Sequence, residues 1–154
     1  MTSRNSVRQT DSMKSTALEG AGATLEELEH VLAESAFARV YNFKLHSFAN
    51  GECTLVVPFD ESLERPGGIV AGSILMTAAD VAMWLAIMTR LGTGAMSVTV
   101  DMATTFLNSA RREDVRCSAR VLKLGKSLIY GVAECSNDAG KRLTHHTITY
   151  ARRY

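Results

Sequence analysis

One acidic residue, Asp80, stands inside the longest apolar run of the chain. From Ile74 to Met88 the sequence reads ILMTAADVAMWLAIM, with Thr77 the only other polar side chain, and no further charge falls between Arg65 and Arg90. A carboxylate in apolar surroundings is costly unless it is hydrogen-bonded, paired or protonated. Such a group is a candidate nucleophile, general base or acid, and the competing reading is a structural Asp that caps a loop or pairs with an Arg across an interface. Just upstream lies Arg65-Pro66-Gly67-Gly68-Ile69-Val70-Ala71-Gly72-Ser73, a glycine-rich loop that leads into a helix. A helix entered this way offers free backbone N–H groups and the positive end of its dipole beside the carboxylate.

The elements that must position these residues follow from periodicity and turn chemistry. Thr24 with Glu27 forms a capping box for a helix from Thr24 to about Arg39, with Leu25, Leu28, Leu32 and Ala36 as its apolar stripe. A first strand is expected around Val40–Phe48, the Asn50-Gly51 pair marks a tight turn, and a second strand runs from Glu52 to about Phe59. Residues 60–70 read as an irregular loop. The central helix starts at Gly72 or Ser73, where Ser73 can serve as N-cap, and runs to Arg90; Gly92 and Gly94 end it. It is apolar almost all round and therefore buried on most sides.

From Ala95 the period changes to two, placing Met96, Val98, Val100, Met102, Thr104 and Phe106 on one face. Three more strands follow, around Val115–Val121, Ser127–Cys135 and Arg142–Ala151. One long apolar helix among six strands calls for a curved antiparallel sheet wrapped round it, an α+β architecture. The open edges of such a sheet favour pairing across a two-fold axis, so a homodimer or a dimer of dimers is expected. His145 and His146 are neighbours on the last strand and point to opposite faces, one exposed and one packed.

The 154 residues are 46% hydrophobic and 21% charged, which fits one globular domain, and the net charge of +1 gives no reason to expect nucleic acid or an anionic membrane as partner. The apolar run is shorter than the roughly 20 residues of a spanning helix. Three scattered cysteines, with no CxxC and no Cys/His cluster, argue against a metal site and a disulfide framework and for a reducing cytoplasm. Residues 1–22 are polar and read as a mobile tail; 23–154 form the domain.

Four blocks in order, GGIVAGSILMTAAD, SVTVDMATTFLNSA, VLKLGKSLIYGVAEC and LTHHTITYA, resemble the hotdog fold, specifically the PaaI-like acyl-CoA thioesterases, over about Val40 to Ala151. The resemblance implies thioester hydrolysis to a free acid and coenzyme A. It implies that Asp80 is the nucleophile or general base, that the Gly72 N–H stabilises the oxyanion, and that Thr99 assists. No metal or redox cofactor is implied; coenzyme A enters as part of the substrate. Its groove would be formed by Phe106–Arg111 and Lys123–Leu128. Arg111, Lys123 and Lys126 beside Gly125 become candidate phosphate partners, with Arg65 and Ser73 at the mouth of the site. Two departures stand out. Ala71-Gly72-Ser73 replaces the His-Gly-Gly of many relatives, and Arg65 stands where some carry Asn. The missing His keeps a second reading open, a hotdog protein that binds acyl-CoA or another acyl ligand without turning it over. A hydratase is disfavoured because the central helix has no His.

Overall fold

The computed structural model describes residues 21–153. The expected tail falls largely on residues 1–20, outside the described residues; Ala21 and Gly22 are described, and Ala23 N–H donates to Met88 O at 2.9 Å, at the far end of the central helix.

Thr24 caps α1 (Leu25–Glu34) through a complete capping box: Glu27 N–H donates to Thr24 Oγ1 and Thr24 N–H to a Glu27 carboxylate oxygen. The expected single helix breaks at Ser35, whose backbone is extended and whose hydroxyl donates to Val31 O at 2.6 Å. This competing local bond is what Ser offers within a helix. A short helix, α2 (Ala36–Val40), then redirects the chain. The first strand therefore begins later than expected, because Val40 ends α2 and Asn42 turns with φ 54°. β1 (Lys44–Ala49) and β2 (Glu52–Val57) form the hairpin around Asn50-Gly51. Gly51, at φ 79°, donates its N–H to Thr89 Oγ1 at 2.7 Å, which pins the hairpin tip to the central helix.

The stretch expected to be irregular is partly ordered. A 3₁₀ turn (Glu61–Leu63) leads into a two-residue hairpin, β3 (Glu64–Arg65) with β4 (Ile69–Val70), made possible by the positive φ of Gly67 and Gly68. Then α3 (Gly72–Leu91) crosses the molecule, followed by β5 (Ser97–Phe106), β6 (Val115–Leu124), β7 (Leu128–Ser136) and β8 (Arg142–Arg152). The sheet order is β1-β2-β6-β7-β8-β5, antiparallel throughout, with β1 and β5 at the edges. The α+β architecture is that of the hotdog fold, six curved antiparallel strands packed on one long helix.

At 20 residues α3 is longer than the apolar run suggests, and by length and composition it could cross a membrane; 72% of its apolar window is instead buried, as befits a core helix. Small residues permit this: Ala78, Ala79, Ala82 and Ala86 are fully buried against the sheet. Burial is not uniform round the helix, however. Ser73 and Met76 are exposed and Thr77, Asp80 and Trp84 half-buried, and these residues recur every three or four positions along one stripe. Asp80 thus lies on the open stripe rather than in the core.

β5 corrects another expectation. Its register slips between Thr99 and Asp101, leaving Val100 unpaired, so the strict alternation expected from Met96 to Phe106 fails at that bulge. Thr99 pairs with inward-facing Tyr150, and after the bulge Met102 pairs with inward-facing Ile148. Residues on opposite sides of a regular strand are thereby brought to the same face. His146 is fully buried with Thr104 and Thr144 on its two ring nitrogens, while His145 meets Glu134 on the outer face, as the adjacency predicted.

Candidate active site

The bulge delivers Thr99 to Asp80. Thr99 Oγ1 donates to Asp80 Oδ1 at 2.8 Å, and the Tyr150 hydroxyl donates to the same oxygen at 2.6 Å while lying 3.0 Å from the Asp80 carbonyl. Among the described residues, Oδ2 has no hydrogen-bond partner. The carboxylate opens into a cleft of about 340 Å³ lined by Phe37, Val81, Trp84, Ser97, Val98, Thr99 and Tyr150, where Asp80 is the one charged residue among the described residues. Tyr150 is 3% exposed, and burial pushes its phenol well above the usual tyrosine range, with the Asp80 charge and hydrogen bond adding to the effect. Its proton therefore stays in place at neutral pH and serves as a fixed donor.

Trp84 lines the cleft one turn beyond Asp80, whereas Met83 and Met88 of the same helix are core residues at 1% and 4% exposure. Tyr150 is the residue that sequence reasoning missed. The alternation of β8 carried the signal, because Thr144, His146, Ile148 and Tyr150 all face inward.

Gly72 lies elsewhere. It opens α3 behind Ala71, which is the N-cap in extended backbone with no side-chain capping bond, so Ser73 is not the cap as expected. Ser73 sits exposed in the first turn, where its carbonyl accepts from Thr77 Oγ1. Among the described residues, the Gly72 and Ser73 N–H groups have no partner, while Ala71 N–H donates to Leu63 O and Ile74 N–H to Ala71 O. A second cleft, of about 420 Å³, holds Gly72 together with Arg65, Leu75 and Phe106. The Phe106 ring lies so close that a Cβ on Gly72 would stand 2.8 Å from it. The two clefts share no lining residue.

The remaining candidates divide between the two ends of the molecule. Arg111 reaches Gly67 O at 3.1 Å, beside the Gly72 cleft. Lys123, Gly125 and Lys126 belong to β6 and the β6–β7 turn; Gly125 O accepts from Arg152, whose strand neighbour across the sheet is Ser97. They lie toward the Asp80 end of β5 and line neither cleft.

A sequence profile described as the Thioesterase superfamily matches residues 67–144, from the glycine loop to the buried Thr144. This chain belongs to the thioesterase superfamily. It is 30% identical over 104 residues to a Thermoplasma volcanium protein whose name assigns it provisionally to the esterases, a match covering 68% of this chain and 77% of the relative. Among solved structures, zebra fish thioesterase superfamily member 2 is 31% identical with a TM-score of 0.71, covering 79% of this chain and 90% of that one. The PaaI protein of Escherichia coli, at 17% identity, shares the fold with a TM-score of 0.76 over 84% of this chain and 92% of its own. The expected resemblance to hotdog thioesterases therefore holds.

Proposed function

We propose that the protein is an acyl-CoA thioesterase in which Asp80 is the general base or nucleophile. The observation that carries this reading is the carboxylate itself, held through Oδ1 by two hydroxyl donors at the wall of a mostly apolar cleft, with no hydrogen-bond partner on Oδ2 among the described residues. As base, Oδ2 takes a proton from water and the hydroxide adds to the thioester carbonyl. The tetrahedral oxyanion then collapses, the C–S bond breaks and the coenzyme A thiolate leaves to be protonated. As nucleophile, Oδ2 itself adds and the resulting anhydride is hydrolysed. The Gly72 N–H, without a partner among the described residues, lies at the positive end of α3 and is the oxyanion donor.

One protomer cannot bring these groups together. Asp80 lies eight residues beyond Gly72 on the same helix, about 12 Å along its axis at about 1.5 Å per residue. Base and oxyanion donor must both approach one carbonyl to roughly 3 Å. The exposed edge of β5 supplies a solution. It runs ten residues, with Val98 36% and Val100 53% exposed, and is longer than the six-residue β1 at the opposite edge. Antiparallel pairing of β5 with β5 of a second copy crosses their ends, so the Ser97–Thr99 end of one subunit meets the Phe106 end of the other. Asp80 and Thr99 of one subunit then face Gly72 and Phe106 of its partner, and Lys123 and Lys126 of the first come to the same end as Arg65 and Arg111 of the second. In that arrangement these cations would pair with coenzyme A phosphates. Pairing the edge also removes an exposed strand. Three buried thiols outside any disulfide support a reducing, cytoplasmic setting.

The absence of a His at Ala71 favours the one competing reading, an acyl-ligand binder without turnover. Thiol release from short, medium, long and aryl acyl-CoAs separates the two. Turnover of at least one thioester is expected; tight coenzyme A binding with no release from any of them would establish the binder.

A further inference from the structure

The sheet contributes more to this site than the strand that carries Thr99. We propose that Tyr150 is a positioning residue, whose hydroxyl joins that of Thr99 in holding Asp80 by Oδ1 so that Oδ2 is the oxygen presented to the reacting water or thioester. The inference rests on the reading of Asp80 as base or nucleophile.

An aspartate is free to turn about its last side-chain bond, a torsion with broad minima. Two donors on one oxygen remove that freedom. Tyr150 has a single proton and two acceptors in reach, and the shorter contact, 2.6 Å to Oδ1 against 3.0 Å to the Asp80 carbonyl, takes it. Thr99 donates to the same Oδ1 from the opposite strand of the β5–β8 pair, where it stands directly across from Tyr150. The two donors differ in character. Thr99 is exposed on an edge strand, whereas Tyr150 is 3% exposed on a strand flanked by β7 and β5, so Tyr150 is the rigid member of the clamp. Its role is not that of an acid, since the proton it holds is not released near neutral pH.

Among the described residues that line the cleft, no other charge competes for the carboxylate. α2 presents Phe37 to the cleft; α3 presents Val81 and Trp84; β5 presents Ser97, Val98 and Thr99; and Asp101, past the bulge, pairs with outward-facing Thr149.

The test compares wild type, Tyr150→Phe, Thr99→Val, the double variant and Asp80→Asn on the best acyl-CoA, with thermal unfolding of each. Tyr150→Phe keeps the buried ring and is expected to lower kcat about 10- to 100-fold at unchanged KM, the range for a lost hydrogen bond to a charged group. The double variant should lose more than the product of the single losses, because only then is Oδ1 without a donor. A Tyr150→Phe protein with a lowered Tm but unchanged kcat and KM would overturn the proposal. If Tyr150→Phe does not fold, fluorotyrosine labelling reads the same bond. The residue 150 resonance should shift on Asp80→Asn, and an unmoved resonance would overturn the proposal. Retained turnover in Asp80→Asn would instead remove the reading on which it rests; loss there with no effect at Tyr150 would remove Tyr150 alone.

Discussion

If each active site takes its base from one subunit and its oxyanion donor from the other, two dead variants should rescue one another. Asp80→Asn removes the base. Gly72→Pro removes the backbone donor, and the fold accepts it: Gly72 is the first residue of α3, where proline is favoured, and Ala71 before it already has the extended backbone (φ −61°, ψ 136°) that precedes proline. The added ring displaces Phe106, which is 54% exposed and has room to swing. Loss of one oxyanion donor lowers kcat by about 10²- to 10³-fold. In a randomly exchanged equal mixture about half the dimers are mixed, and each mixed dimer has one site carrying both lesions and one carrying neither, so activity should return to about a quarter of wild type. Were both groups drawn from one subunit, every site would carry a lesion and the mixture would stay near the level of its parents. Thiol release before and after subunit exchange, with two affinity tags to count mixed dimers, reads the difference. Abundant mixed dimers without recovered activity would refute the crossed arrangement.

Two further outcomes concern stability. A Cβ on Gly131 would lie 2.5 Å from the Arg120 carbonyl and also press on the end of Met83, so Gly131→Ala should destabilise by about 1–3 kcal/mol in urea titrations; an unchanged midpoint would contradict the packing of α3 on β7. Burial pushes the Cys53 thiol up to about 12 and the Tyr150 phenol above its usual range, so at alkaline pH the folded state holds protons that the unfolded chain has lost. That stabilisation is complete below the unfolded thiol value of about 9 and falls by about 1.4 kcal/mol per pH unit for Cys53 alone until about pH 12; a urea midpoint constant between about pH 8 and 11 would contradict it.

The long helix was legible because an apolar run bounded by a glycine loop and Gly92 has few alternatives, and the capping box and Asn-Gly turn were legible because each is a local bond or a local φ. Failures came where a single residue changes phase. Nothing in SVTVDMATTF announces that Val100 is skipped, since a bulge depends on what the neighbouring strand demands, and without it Thr99 would point away from Asp80. Ser35 ends α1 by a bond to its own helix, a choice that Ser leaves open in any sequence. The open stripe through Ser73, Thr77, Asp80 and Trp84 was hidden by the small alanines between its members. Tyr150 was missed because only the three-dimensional approach of β8 to the middle of α3 turns its hydroxyl toward the carboxylate.

The most direct test of the account is thiol release by wild type and Asp80→Asn side by side, on the acyl-CoA turned over fastest, with both proteins shown to be folded. The half-buried carboxylate on the open stripe of α3 predicts that Asp80→Asn keeps its Tm within a few degrees, still binds the substrate, and loses most of its turnover. A folded Asp80→Asn protein that hydrolyses the thioester at the wild-type rate would contradict the central claim.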